Sequence, residues 1–231
     1  MALPSSYARR PCDARMWIAT WLAVLTLFGW AVAQTQSDWT VVHREDFGRD
    51  AHPLYVFGGV ITFGPQIGDP WTALLRDGRL EISNGTDASV IRYYFLEPRQ
   101  VPDWAARPDV TMLASVHVGG TFGEFPGAGL VYGVDPVTHH FVALVLTGGD
   151  GYGIYVLDEQ GYRAVASGSS SAIDPDGLTQ LVIAPAGDGL GFYVGGERVF
   201  EGPLPRGVGI GLVAAGTGRF AYDDFVIAAP R

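Results

Sequence analysis

Cleaving a glycosidic bond usually takes two carboxyl groups facing each other across a cleft. They stand about 5–5.5 Å apart for retention of configuration and about 6.5–9.5 Å apart for inversion. On a strand, residues i and i+2 share a face about 6.6 Å apart, whereas i and i+4 lie about 13 Å apart. Glu197 and Glu201 are four positions apart, too distant on this measure. Asp174 and Asp176 belong to an Asp-Pro-Asp-Gly turn, where a carboxylate ordinarily caps the backbone. Local spacing therefore argues against hydrolysis, and only carboxylates converging from separate strands would restore it.

The histidines add little catalytic signal. His43, His52 and His117 are isolated, and His139-His140 are adjacent, so a strand would send them to opposite faces. His140 is the member of that pair taken as a candidate pocket wall. No His-Glu-x-x-His, Cys-x-x-Cys or Gly-x-Ser-x-Gly string occurs. The glycine strings Gly148-Gly149-Asp150-Gly151 and Gly187-Asp188-Gly189 read as hairpin turns, since no helix follows to make a phosphate loop.

Asp223-Asp224 is more informative. In an unbroken strand Asp224 shares parity with Phe220, Tyr222 and Val226, and Asp223 with Ala221, Phe225 and Ile227. One carboxylate is thus expected beside apolar neighbours, where it needs a partner. The ordinary partner is a backbone group or Arg44; the functional alternative is a structural Ca²⁺ held by oxygen ligands. Aromatics supply the remaining signal: Tyr93-Tyr94, Trp104, Tyr132, Tyr152 and Tyr155 are candidates for a concave face on which sugar rings stack. The ligand candidates are Tyr132, His140, Tyr152 and Tyr155. Because Tyr152 and Tyr155 are three apart, only one can line a cleft unless a bulge at Gly153 re-aims the chain.

The elements that must position these residues are strands. Short alternating runs, separated by Gly, Pro, Asp and Asn, predict strands at 39–47, 79–83, 89–96, 110–118, 128–134, 140–147, 152–157, 163–167, 179–185, 190–194, 198–201, 208–214 and 220–228. So many strands with short links predict two packed sheets. Gly195-Gly196 suits a two-residue hairpin turn. In Val208-Gly209-Ile210-Gly211-Leu212 the apolar residues are expected to face the core, and the glycines a close neighbour. The stretches 50–71 and 97–108, the second with Trp104, read as long ordered loops, and no helix is predicted.

Arg9, Arg10 and Arg15 precede an uncharged apolar run, Met16 to Ala33, ending Ala31-Val32-Ala33. That is the pattern of a secretory signal peptide cleaved after residue 33, leaving residues 34–231 as one domain with no membrane span. The rival reading is an uncleaved anchor, for which the run is short. Cys12 is the only cysteine and leaves with the signal, so the mature chain has no disulfide and no thiolate chemistry. Losing three arginines and Asp13 moves the net charge from −9 to −11. The absence of lysine beside abundant Ala, Gly and Pro fits a GC-rich bacterial coding bias. An acidic chain without a basic cluster argues against nucleic acid and anionic membranes as partners.

The order of features from Gly127 onward resembles the concanavalin A-like jelly roll, in its laminin-G-type and 3-keto-disaccharide-hydrolase-like branch. The motifs are Gly129-Leu130-Val131-Tyr132, His139 to Leu144, Gly161-Tyr162-Arg163, Leu181-Val182-Ile183, Gly191 to Glu197, Val208 to Leu212 and Phe220 to Ile227. His43 to Phe47 and Gly78 to Ile82 match as well. The resemblance implies an all-β sandwich with its first and last strands adjacent, and a family spanning glycosidases, carbohydrate-binding and adhesion modules. The Glu-x-Asp-x-x-Glu strand of the laminarinase-type relatives is absent here. By the same resemblance Asp224, joined by Asp46, corresponds to their Ca²⁺ ligands. The expectation is an exported, non-catalytic domain, secreted or in the cell envelope, that binds glycan or an envelope polysaccharide. The alternatives are a hydrolase or lyase acting on modified sugars, and a purely structural envelope module.

Overall fold

The computed structural model describes residues 38–48, 58–62, 70–86, 88–203, 205 and 207–231. The expected signal segment and most of the 50–71 stretch lie outside them. The first strands are β1 (Trp39–Glu45), β2 (Gly58–Thr62), β3 (Thr72–Arg76), β4 (Arg79–Asn84) and β5 (Val90–Leu96). A helical turn, α1 (Pro102–Ala105), leads to β6 (Leu113–Phe122), β7 (Gly127–Val134), β8 (Phe141–Gly148), β9 (Gly151–Asp158) and β10 (Gly161–Ser169). Then come β11 (Thr179–Ala186), β12 (Gly189–Val194), β13 (Glu197–Pro203), β14 (Gly209–Ala215) and β15 (Gly218–Pro230). Thr40–Pro230 forms one compact unit; outside it the Arg231 N–H donates to the Asp38 carbonyl at 2.9 Å.

Two sheets result. One has eight strands, in the order β13-β12-β11-β6-β15-β4-β3 with β1 also paired to β15; the other has seven, in the order β10-β9-β8-β7-β14-β5-β2. The expected adjacency of first and last strands is present. Val116, Leu181, Phe192 and Phe225 of the eight-stranded sheet pack against Leu130, Leu144, Ile154 and Leu212 of the other, all fully buried. Two tyrosine hydroxyls tie the layers together. Tyr222 on β15 donates to the Val213 carbonyl on β14 at 2.6 Å, and Tyr132 on β7 donates to the Met112 carbonyl ahead of β6 at 2.7 Å.

The outward faces differ. On the eight-stranded sheet, outward residues form ion pairs: Arg44–Asp224 at 2.7 Å, Arg79–Asp223 at 3.7 Å and Arg219–Glu81. On the seven-stranded sheet, Ile91, Tyr93, Phe95, Val131, Phe141, Val145 and Val213 form a second buried apolar cluster.

Turn chemistry follows the sequence. Gly195 and Gly196 adopt φ of 55° and 85°, the hairpin conformation their types allow. The side chains of Asp135, Asp158 and Asp174 each accept backbone N–H groups two or three residues on.

Three expectations need correction. Strands β2 and β3 arise where none was predicted; β3, Thr-Ala-Leu-Leu-Arg, lies at a sheet edge with every residue exposed, so no alternation marked it. The 97–108 stretch contains α1, started by Pro102 at its first turn, and buries Trp104 in the inter-sheet core. Finally, parity breaks at Asp223-Asp224: Asp223 pairs with His117 but Val226 with Ser115, and Asp224 has φ 51°. This bulge lets Phe220, Tyr222, Phe225 and Ile227 all point inward. Neither aspartate therefore sits on the buried face.

Candidate functional site

The four side chains expected to line one site border three different cavities. Tyr132 faces the inter-sheet core, commits its hydroxyl to Met112, and walls a cavity shared with Trp104. Burial pushes its phenol pKa up, so the hydroxyl stays a donor to that carbonyl. His140 borders a cavity of about 510 Å³, and Tyr152 and Tyr155 border one of about 620 Å³. Convergence on one face fails because β7 turns Tyr132 inward. Parity does separate the other two tyrosines: Tyr152 packs on the inter-sheet core and Tyr155 on the outward cluster. They meet at one cavity because it lies at the end of the sheet, where Tyr152 reaches past small Gly168.

That end cavity has the features of a sugar site. Tyr155 and Tyr162 stack with ring centroids 5.0 Å apart and planes 4° from parallel. Across the opening stands Phe125, 77% exposed and at φ 47°, an unusual conformation for a bulky residue. The turn around it is pinned to the β14–β15 turn. Thr217 N–H donates to the Glu124 carbonyl at 3.0 Å, and Glu124 N–H donates to Thr217 Oγ1 at 2.7 Å. Positive-φ Gly216 admits that contact, since a Cβ there would collide with the Glu124 and Phe125 carbonyls. Backbone strain held in place by its surroundings often marks a binding site. The hydroxyls of Ser89, Thr147 and Ser167 complete the wall, and among the described residues no charged side chain is part of it.

Phe125 and Tyr162 were not among the candidates. Phe125 lies in Gly-Glu-Phe-Pro-Gly, where an aromatic flanked by turn formers was the available signal.

The 510 Å³ cavity lies at the other end of β9 and carries the charged groups. Asp158 accepts the Gln160 N–H at 2.9 Å and Arg163 Nη2 at 2.7 Å. The Gln160 amide first and Arg163 second hold its carboxyl below the ordinary range. His139 and His140 do face opposite sides: His140 walls this cavity, while His139 Nδ1 lies 2.7 Å from Tyr93 Oη of the outward cluster.

The two expected cation ligands each have a partner within the protein. Asp224 Oδ1 lies 2.7 Å from the Arg44 guanidinium, the ordinary partner foreseen for it. Asp46 Oδ1 accepts the Gly48 N–H at 3.0 Å. Among the described residues no three His, Cys, Asp or Glu side chains cluster around a common point.

No family model matches the sequence, and comparison with curated proteins found no relative. Solved structures do resemble it. The catalytic domain of an endo-1,3-β-glucanase (laminarinase) from Thermotoga petrophila RKU-1 has a TM-score of 0.54 at 10% identity, covering 84% of this chain and 99% of that one. A Bacillus subtilis protein of unknown function with a galectin-like fold has a TM-score of 0.55 at 11% identity, with coverage of 84% and 99%. The β-glucanase of Bacillus licheniformis has a TM-score of 0.55 at 8% identity, with coverage of 83% and 99%. The fold is the concanavalin A-like jelly roll.

Proposed function

We propose that this is an exported, non-catalytic domain that binds a neutral glycan, free or on the cell envelope, in the cavity between Phe125 and the Tyr155–Tyr162 pair. One observation carries the reading: a cavity of about 620 Å³ whose described walls are aromatic rings and hydroxyls, with no ionised side chain among them. Aromatic faces suit the apolar face of a sugar, and hydroxyls suit its rim. Two of the similar structures are β-glucanases by description, which fits a glycan ligand for this fold. Hydrolysis has less support. It needs a carboxyl pair with one pKa raised, whereas the described residues of this cavity include no carboxyl, and Asp135 and Asp158 are both held low by backbone N–H groups.

The test is a glycan array probed with residues 34–231, followed by titration of the best ligand. Phe125→Ala and Tyr162→Ala are each expected to weaken binding at least about tenfold, the scale of one lost ring contact. Tyr132→Phe is expected to bind like the parent while losing about 1–3 kcal/mol of stability, because its hydroxyl serves a buried carbonyl. Unchanged affinity in both ring variants, or release of reducing ends from the ligand, would overturn the reading.

Export is part of the same proposal, supported by the run from Met16 to Ala33. Intact mass of secreted material is expected to begin at Gln34. Full-length chain retained in a membrane fraction counts against it.

A further inference from the structure

We infer that the side of the sandwich opposite β3 and β2 holds the hydrocarbon chain of a neutral, hydroxylated single-chain amphiphile. Strands β10 and β13 are the last strands of their sheets on that side, and no pairing joins them. Each edge pairing carries an extra residue. Ala164 pairs with Tyr155 and Ala166 with Ile154, leaving Val165 over; Phe200 pairs with Phe192 and Arg198 with Tyr193, leaving Val199 over. Such bulges bend an edge away from its neighbour. Between the two edges lies the cavity of about 510 Å³.

Its walls reach the inter-sheet interior. Val142 and Val156 come from the seven-stranded sheet, Phe192 and Phe200 from the other, and Val165 stands at the mouth, 37% exposed. The two phenyl rings are tilted against each other at 5.6 Å. A pocket of this size with apolar walls and a few polar groups at one corner is the usual form of a small-molecule site.

The polar corner selects the head group. Arg163 is already bound to Asp158, so their charges cancel, and Glu159 leaves the described rim negative beside His140 and Gln160. A carboxylate or phosphate head would meet that residual charge with no unpaired arginine among the described lining residues to receive it. Hydroxyl groups can donate to Asp158 and Glu159 and accept from Gln160. The site is separate from the proposed glycan cavity, since Tyr152 and Leu157 on β9 are about 17 Å apart along the strand.

The experiment displaces N-phenyl-1-naphthylamine, a neutral fluorescent probe, with 1-monoacylglycerols of increasing chain length, all below their micellar concentrations. Affinity is expected to rise about fourfold per added methylene until the chain fills the cavity. Laurate, with the same chain and an anionic head, is expected to bind at least tenfold more weakly than monolaurin. Val165→Trp and, as a second plug at the same exposed position, Val165→Arg are each expected to cost at least tenfold. Phe125→Ala should leave amphiphile binding unchanged, so loss of the glycan reading would not remove this one. Absence of saturable displacement, no dependence on chain length, or parent-like binding in both folded Val165 variants would overturn the site. Laurate binding as tightly as monolaurin would overturn the assigned head group.

Discussion

Deleting Val226 is expected to destabilise the domain strongly, whereas deleting Asp224, two residues earlier, is expected to leave it folded. Strand β15 is the longest of the described strands and lies in the middle of the eight-stranded sheet, paired with both β4 and β6. Its inward residues are Phe220 and Tyr222, then Phe225, Ile227 and Ala229. The step from 222 to 225 is odd, and only the extra residue of the bulge turns it back to the core. Removing Asp224 makes the strand regular and keeps Phe225, Ile227 and Ala229 inward, because 222 and 225 then stand two positions apart. Removing Val226 leaves the bulge and sends Ile227 and Ala229 outward, because a one-residue slip exchanges the faces. Exposing one buried Ile costs about 1.5–3 kcal/mol, and the same slip also exposes Ala229. A typical domain has about 5–15 kcal/mol to lose. Two point variants separate the bulge from the charge. Asp224→Gly keeps the left-handed conformation without a Cβ and loses the pair with Arg44 and the longer approach of His117, so its unfolding free energy should stay within about 1 kcal/mol of the parent's. Asp224→Ala loses the same carboxylate but keeps the Cβ that the parent already holds at φ 51°, so it should be about 1–2 kcal/mol less stable than Asp224→Gly. An Asp224 deletion that unfolds the domain, or a Val226 deletion as stable as the parent, would mean that β15 is not held in this register.

The same bulge shows where sequence reading stops. Every strand predicted from alternation is present, because a run closed by Gly, Pro or Asx has few other ways to satisfy its backbone. Face assignment is harder. In Val90–Leu96 both faces are apolar: Tyr94 and Leu96 enter the inter-sheet core, and Ile91, Tyr93 and Phe95 enter the outward cluster. An apolar run buried on both sides carries no mark of which side is inner. Tyr132 on β7 is in the same position, and its hydroxyl, read as a ligand contact, serves Met112 instead. Parity survives where the strand is regular, as with Tyr152 and Tyr155. The extra residues at Asp224, Val165 and Val199 leave no sequence signature, since each is chosen by its pairing partner on another strand. The cavity wall at Phe125 is likewise set by a contact between two turns distant in sequence, Glu124 with Thr217.

Gly211→Ala is the second substitution expected to have a large effect, and it resolves what the glycine face of β14 is for. The alternation Val208-Gly209-Ile210-Gly211-Leu212 puts Ile210 and Leu212 in the core and implies a close neighbour on the other side. That neighbour is the chain's own β5. A Cβ on Gly211 would fall within the van der Waals envelope of the Tyr94 carbonyl oxygen and lie 2.6 Å from Phe95 Cα. Both are backbone atoms held in the ladder from Ile210↔Leu96 to Ala215↔Ile91, so no side-chain rotation relieves the contact. Either β14 and β5 separate, or β5 leaves with β2, which pairs with it at the sheet edge. The expected loss exceeds about 3 kcal/mol, above the usual range for a single substitution. Two other glycines calibrate it. Gly196 has open space around it but φ 85°, so Gly196→Ala should cost about 1–2 kcal/mol from backbone conformation alone. Gly85 has open space and an ordinary φ, so Gly85→Ala should be neutral or stabilising by about 0.4–1 kcal/mol through the unfolded chain. Thermal or urea unfolding of the three variants side by side checks the ranking. A Gly211→Ala protein as stable as the Gly85→Ala protein would mean that β14 and β5 do not approach as closely as described.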